Sequence, residues 1–462
     1  MSACSRSTNA SSWPADICGS GTVPAGLPSL HDALHLLHRP PPGTPLAALD
    51  DRSHPAWQRL KFDELLAQQL SQLTAQQQRA LLQAPALQTA RGGLHERLLA
   101  ALPFSLTAAQ RRVVHEIAAD LARGQPMHRL LQGDVGSGKT VVADLAAAIA
   151  IDSGWQCALM APTEILAEQH FRKLVHWLEP LGVGVAWLTG SRKGKGRKAM
   201  LDAVASGAAG LVVGTHAVIQ HDVVFAKLGL AVVDEQHRFG VAQRLALRDK
   251  LEQQALEPHL LMMSATPIPR TLSMSYFADL DVTVIDEMPP GRVPVVTKMV
   301  AEERRDEVVA RIRESCREGA QAYWVCPLIE ESEQLQLQTA IETFETIKAT
   351  FPDLAVGLVH GRMKAAEKAQ VMADFKANRI QLLVATTVIE VGVDVPNATL
   401  MVIEHAERMG LAQLHQLRGR VGRGRERAYA YFLYPSEKPL GEVALERLKA
   451  VAAHNELGAG MQ

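Results

Sequence analysis

The sequence predicts an α/β protein of two tandem parallel-sheet domains, preceded by a helical connector. Three observations carry that prediction. Short apolar runs alternate with helical periodicity from about residue 102 onward, the pattern of βαβ units. In the first half each run stops at a small or polar cluster, as strands do at the ligand-bearing carboxyl edge of an open parallel sheet. The alternation then breaks at Pro289-Pro290-Gly291 and restarts.

At 462 residues the chain can hold two or three domains with ample core. An apolar content of 47% with 21% charged residues reads as globular rather than disordered. The formal net charge of −1 means that any nucleic-acid surface must be local. Five cysteines, at positions 4, 18, 157, 316 and 326, form no C-x-x-C pair. That argues against a zinc ribbon or a disulfide framework, and for a reducing cytoplasm. No apolar run reaches the length of a membrane span, and no secretory leader design opens the chain.

Residues 1–25, rich in Ser, Gly and Pro, read as a disordered arm, and residues 26–101 as the helical connector. In the connector Leu60, Phe62, Leu65, Leu66 and Leu70 recur at helical spacing before a Gln-rich run. A first α/β domain is expected over 102–285. Thr107 is an N-cap candidate for a helix through Val113, Val114 and Ile117. Strands are expected around Leu130-Leu131, Cys157–Met160, Gly184–Leu188, Leu211–Val213, Leu230–Val233 and Leu260–Met263. Residues 286–462 form the second domain, opened by a hinge over Asp286–Pro294. Its expected strands are Gln321–Cys326, Val356–Val359, Gln381–Ala385 and Thr399–Ile403, with a helix over Lys364–Lys376.

The chemistry centres on Gly133-Asp134-Val135-Gly136-Ser137-Gly138-Lys139-Thr140, which fits G-x-x-x-x-G-K-[ST] at every required position. Its glycines let successive backbone N–H groups turn inward around a polyphosphate. Lys139 reaches the terminal phosphates, and the Thr140 hydroxyl takes a place on Mg²⁺. A strand leads in and an Ala-rich helix leads out, with its positive N-terminal end on the phosphates. Asp234 and Glu235 end an apolar strand about a hundred residues later. The first suits Mg²⁺; the second suits orienting or deprotonating the attacking water. Phe104 and Gln110 could hold an adenine, although a packed Phe and a surface Gln are the simpler reading.

Between His405 and Arg427 stand six arginines against two glutamates. Within this stretch Gln416, Arg420 and Arg423 lie among glycines on a domain that has no phosphate loop. That arrangement suits arginine fingers crossing to a γ-phosphate, or contacts to a nucleic-acid backbone. A second basic cluster, Ser191–Lys198, reads as a solvated loop or another backbone contact.

Taken in order, Gly133–Thr140, Ala161-Pro162-Thr163-Glu164, Asp234-Glu235-Gln236-His237, Ser264-Ala265-Thr266 and Gln416–Arg423 resemble the motifs of superfamily 2 helicases. More narrowly, the chain resembles the RecG family, bacterial ATP-dependent helicases of branched DNA. The residues that say so are Leu102-Pro103-Phe104 with Gln110, Asp234–Val241, Ser264–Leu272, Asp286–Arg292, His360–Lys364, Ala385–Pro396 and Gly410–Gly424. The transcription-repair coupling translocases share several of these elements. The Met-Pro-Pro-Gly-Arg segment and Val-Ile-Glu-Val-Gly-Val-Asp-Val-Pro favour RecG.

The resemblance implies two RecA-like domains and an ATP- and Mg²⁺-dependent helicase acting on forks and Holliday junctions in repair and recombination. It further implies a monomer, in the bacterial cytoplasm and associated with the nucleoid. Carried over, Phe104 and Gln110 take adenine, and Gly133 to Thr140 take phosphates, with Thr140 and Asp234 on Mg²⁺. His237, Ser264, Ala265 and Thr266 couple nucleotide state to DNA. Gly392, Asp394, Gln416, Arg420 and Arg423 close the site from the second domain. Pro162, Thr163, Thr189, Gly190, Thr215, His360, Gly361, Thr386 and Thr387 contact the DNA backbone. Family members also carry an N-terminal wedge domain and a C-terminal segment, and neither is expected in this chain. The second expectation is therefore a truncated, DNA-stimulated ATPase that does not unwind, or a fragment that binds ATP or DNA.

Overall fold

The apolar runs become two parallel sheets in the computed structural model. It describes residues 23–24, 26–190, 194–235, 247, 250, 256–265, 280–290, 294–326, 333–386, 395–422, 424, 427–436 and 440–453. The expected arm therefore lies outside the described residues, except for Val23 and Pro24.

The connector is helical, as expected, over Leu30–His38, Leu46–Asp50, Pro55–Ala80 and Leu94–Ala101. The first two of these helices and most of the third form one unit. Both sheets lie in a second unit that starts at Arg79. In the first unit Ser29 caps its helix by accepting from the Asp32 N–H at 3.1 Å. The buried Arg59 guanidinium donates to Asp63 and to the Pro28 carbonyl, both at 2.9 Å. Leu65 and Leu70, part of the helical spacing in the sequence, are exposed along the Pro55–Ala80 helix.

The first sheet has seven strands: β1 His128–Gly133, β2 Gln156–Met160, β3 Val185–Leu188, β4 Leu211–Gly214, β5 Leu228–Val233, β6 His259–Ser264 and β7 Asp281–Ile285. Their spatial order is β3-β4-β2-β5-β6-β1-β7, and all pairings are parallel. Burial on both faces explains the near-continuous apolar runs. Alternate residues go to opposite faces. Leu159, Val213, Val232 and Leu261 pack with the helix Lys139–Asp152, whereas Ala158, Val212, Ala231 and Leu260 join the opposite core. The small Ala143, Ala146, Ala147 and Ala150 let that helix lie flat against the strands.

The second sheet has six: β8 Val296–Ala301, β9 Gln321–Cys326, β10 Val356–Val359, β11 Leu382–Thr386, β12 Ala398–Ile403 and β13 Tyr429–Tyr434, ordered β10-β11-β9-β12-β13-β8. It too is parallel throughout and has a core on each face. The fold class is therefore as the sequence predicts. Three strands (β7, β8 and β13) are additions to the expected set. Half of the second basic cluster is also helical rather than loop. The helix Lys195–Ala205 starts inside it, and Arg197 is bound to Gln220 and Asp222 at 3.0 and 2.8 Å. Among the described residues no helix is long and apolar enough to cross a membrane.

Candidate active site

β1 runs directly into the phosphate loop, and the helix Lys139–Asp152 opens on its lysine. Gly136 and Gly138 take φ of 83° and 93°, a region costly for any residue with a Cβ. At Gly138 an added Cβ would also strike the Gln110 amide, and at Gly133 one would strike the Ser137 hydroxyl. The buried Lys139 ammonium donates to the Gly133 carbonyl at 2.7 Å and the Asp134 carbonyl at 3.0 Å. Burial pulls its pKa down, against the opposing pull of Glu235, Asp234 and Asp134.

Gln110 and Phe104 reverse the simpler sequence reading. Gln110 is buried and Phe104 is 47% exposed. Thr107 caps the helix Ala108–Leu121 in a reciprocal capping box with Gln110. The Gln110 carbonyl oxygen accepts from the Thr107 N–H at 2.9 Å, while its amide donates to the Ser137 carbonyl at 2.7 Å. One residue thus joins the helix cap to the phosphate loop. The helix also clasps the segment expected as a hinge: the Ala109 N–H donates to Glu287 at 3.0 Å, and Arg112 donates to Asp286 at 2.9 Å.

Asp234 and Glu235 follow β5, and β6 lies between β5 and β1. That order sets Ser264 and Ala265, at the tip of β6, between the acidic pair and the phosphate loop; Ser264 is in register with Gln132. Both acids are buried, and Glu235 has a φ of 49°. Such left-handed backbone in a non-glycine residue concentrates at functional sites. Burial alone would raise the Asp234 pKa. The His170 hydrogen bond and charge, Lys139, and the Glu235 N–H outweigh it and hold the carboxyl below its ordinary value. A Thr hydroxyl and one ionised carboxylate fit Mg²⁺, which takes few protein ligands and completes its shell with phosphate and water. Among the described residues no cluster of three or more His, Cys, Asp or Glu could form an all-protein metal cage.

The second sheet contributes residues from the helix Leu411–Arg418 and the turn after it. Gln416 and Arg420 are buried, and the Arg420 charge acts on Lys139. A Cβ on Gly419 would lie 2.7 Å from Val135 Cβ, so only glycine lets this turn meet the phosphate loop so closely. Arg418 serves its own domain, donating to the Val451 carbonyl at 2.8 Å and to His415 Nδ1 at 2.9 Å. His415 must then be the acceptor. Burial, Arg418 and the opposing Asp134 leave its pKa lowered to about 4.

The expected nucleic-acid contacts divide between the sheets. Pro162 and Thr163, Thr189 and Gly190, and Thr215 follow β2, β3 and β4. Thr163 caps the helix Glu164–Leu178, while Thr189 and Thr215 are themselves buried. His360 and Gly361 follow β10, and the buried Thr386 ends β11. His237, Thr266, Thr387, Gly392, Asp394 and Arg423 lie outside the described residues. Sequence reasoning passed over His170, Asp144 and Gly419. A lone aspartate inside the Ala-rich run after Lys139 was the available signal.

Residues 107–275 match the DEAD/DEAH box helicase family, and residues 304–425 match the helicase conserved C-terminal domain. The chain is 56% identical to the ATP-dependent DNA helicase RecG of Escherichia coli O157:H7, over 93% of this chain and 62% of that protein. Against RecG of Haemophilus influenzae the identity is 55%, over 92% of this chain and 61% of the relative. The chain thus spans about three-fifths of the length of these curated relatives. A structure of RecG bound to a three-way DNA junction matches 94% of this chain and 56% of that one, with a TM-score of 0.77 and 40% identity. Yeast Dbp5 bound to RNA and ADP BeF3 shares the fold at 16% identity, with a TM-score of 0.58 over 78% of this chain and 90% of that one.

Proposed function

Because the chain is a homologue of the RecG helicases along 93% of its own length, we propose that it is an ATP-driven motor acting on branched duplex DNA. The observation that carries this reading is the close approach of Gly419 to Val135 of the phosphate loop, with Arg420, Asp234 and Glu235 all acting on Lys139. ATP binds with its phosphates on the loop N–H groups and Lys139. Phe104 offers a face to the adenine, and Gln110 has one N–H and one lone pair left for its edge. Glu235 orients the attacking water and takes up its proton. Arg420, joined by Arg423, neutralises charge as the γ-phosphoryl departs, a contribution of ~10³–10⁵ in turnover for such fingers. Thr140 and Asp234 would hold Mg²⁺, which would supply positive charge to offset the charge on the phosphates.

Gln416, Gly392 and Asp394 complete the second face. His237 and Ser264 to Thr266 pass nucleotide state to the DNA-contacting residues of both sheets, and the opening and closing of the site moves the chain along DNA. The working organisation is a motor of residues 102–285 and 286–462 led by the helical connector. It acts as a monomer in the bacterial cytoplasm, at forks and junctions undergoing repair or recombination. ATP-dependent strand separation of a forked or three-way junction tests the reading, with loss of separation expected in Lys139→Ala. Separation that persists in that variant would sink the site assignment. ATP hydrolysis without separation would make the chain a DNA-stimulated ATPase that does not unwind.

A further inference from the structure

His170 lies on the helix Glu164–Leu178, outside every motif assigned above. Its Nε2 is 2.8 Å from Asp234 Oδ2. At that distance the imidazole N–H can donate to the carboxylate oxygen. The other carboxylate oxygen, Oδ1, accepts from the Glu235 N–H at 3.0 Å. Both oxygens are therefore held, one by the neighbouring backbone and one by a separate helix.

One turn beyond His170, Lys173 Nζ lies 3.8 Å from Asp144 Oδ2, on the helix that begins at Lys139. Asp144 is 1% exposed, and among the described residues neither carboxylate oxygen has a hydrogen-bond partner. Burial raises its pKa, and the charges of Lys173 and His170 oppose that rise. One face of a single helix thus addresses a carboxylate at the end of β5 and another behind the phosphate loop. The same helix is capped at its start by Thr163, one of the proposed DNA contacts. Thr163 precedes His170 by about two helical turns, ~10 Å of rigid rod.

We propose that His170 is a positioning residue that fixes the Asp234 carboxylate for hydrolysis and ties its placement to the helix capped by Thr163. The inference rests on the ATP-motor reading. Partners that orient a metal-binding side chain are typically worth 10–100-fold in metal affinity or activity.

The test uses the full chain with ADP and Mn²⁺, reading bound metal by electron paramagnetic resonance and DNA stimulation by ATP turnover. His170→Leu is expected to weaken Mn²⁺ binding at least ~10-fold, leave metal-free ADP binding intact, and lower the stimulation by a three-way junction. His170→Gln, whose amide can donate to Asp234, should recover most of both. Unchanged Mn²⁺ affinity in His170→Leu overturns the proposal. So does equal damage in both variants with lowered thermal midpoints, which marks a packing role. Weakened metal binding with undiminished DNA stimulation overturns the link to the Thr163 helix. A wild-type chain that binds no Mn²⁺ with ADP would instead overturn the underlying reading.

Discussion

The two sheets share parallel strands, a core on each face and similar size, yet in the proposed motor they would meet a triphosphate in opposite ways. The first presents backbone: a glycine loop, the start of a long helix and a lysine anchored to its own loop carbonyls. The second presents side chains, Gln416 and Arg420, on a short helix and turn. Backbone donors are fixed by the fold and suit ground-state binding. A guanidinium brought in by a neighbouring domain can act when the domains close, and so suits the transition state. On the proposed reading, that difference would give binding to one sheet and much of the rate to the other.

The largest expected effect breaks that division directly. Arg420→Ala should lower kcat ~10³–10⁵-fold while nucleotide affinity stays within a few-fold. A parallel loss of affinity would make Arg420 a ground-state contact. On the other sheet, Glu235→Gln should cost ~10²–10⁴ in kcat and retain ATP binding. Full turnover in this variant would place the water-activating group elsewhere. Gly419→Ala probes the seam between the two. Its methyl would need to displace Val135, and a shift of that order slows turnover ~10- to 10²-fold through misplacement of Arg420. Unaltered kinetics would show that the turn and loop need not meet so closely.

The smallest effect concerns stability. His415 is buried neutral, with its pKa lowered from 6.5 to about 4. Between these values the unfolded chain takes up a proton that the folded chain refuses. Its contribution is full above pH 6.5 and declines as pH falls toward about 4. Thermal midpoints across that window should fall less steeply in His415→Gln than in the wild type. Equal slopes would show that His415 does not set the acid limb.

Much of this was legible in the sequence where the signal is local. The phosphate loop, its flanking strand and helix, and the acidic pair after β5 need only neighbours in the chain to be read. The aromatic run of β13 carries a strand signal as strong as that of β9, yet the expected strands end before the arginine-rich turn that precedes it. β8 has exposed positions at the sheet edge, so its apolar pattern is interrupted. His170 was beyond reach because its meaning depends on Asp234, 64 residues away. Gln110 misled for a related reason. A polar residue looks like surface until the loop that takes its amide is folded against it.

Steady-state ATP hydrolysis by the full chain, with and without a three-way DNA junction, tests the central claim most directly. Hydrolysis should rise strongly when the junction is added and vanish in Lys139→Ala. Hydrolysis indifferent to DNA, or none at all, would contradict a DNA motor built from these two sheets.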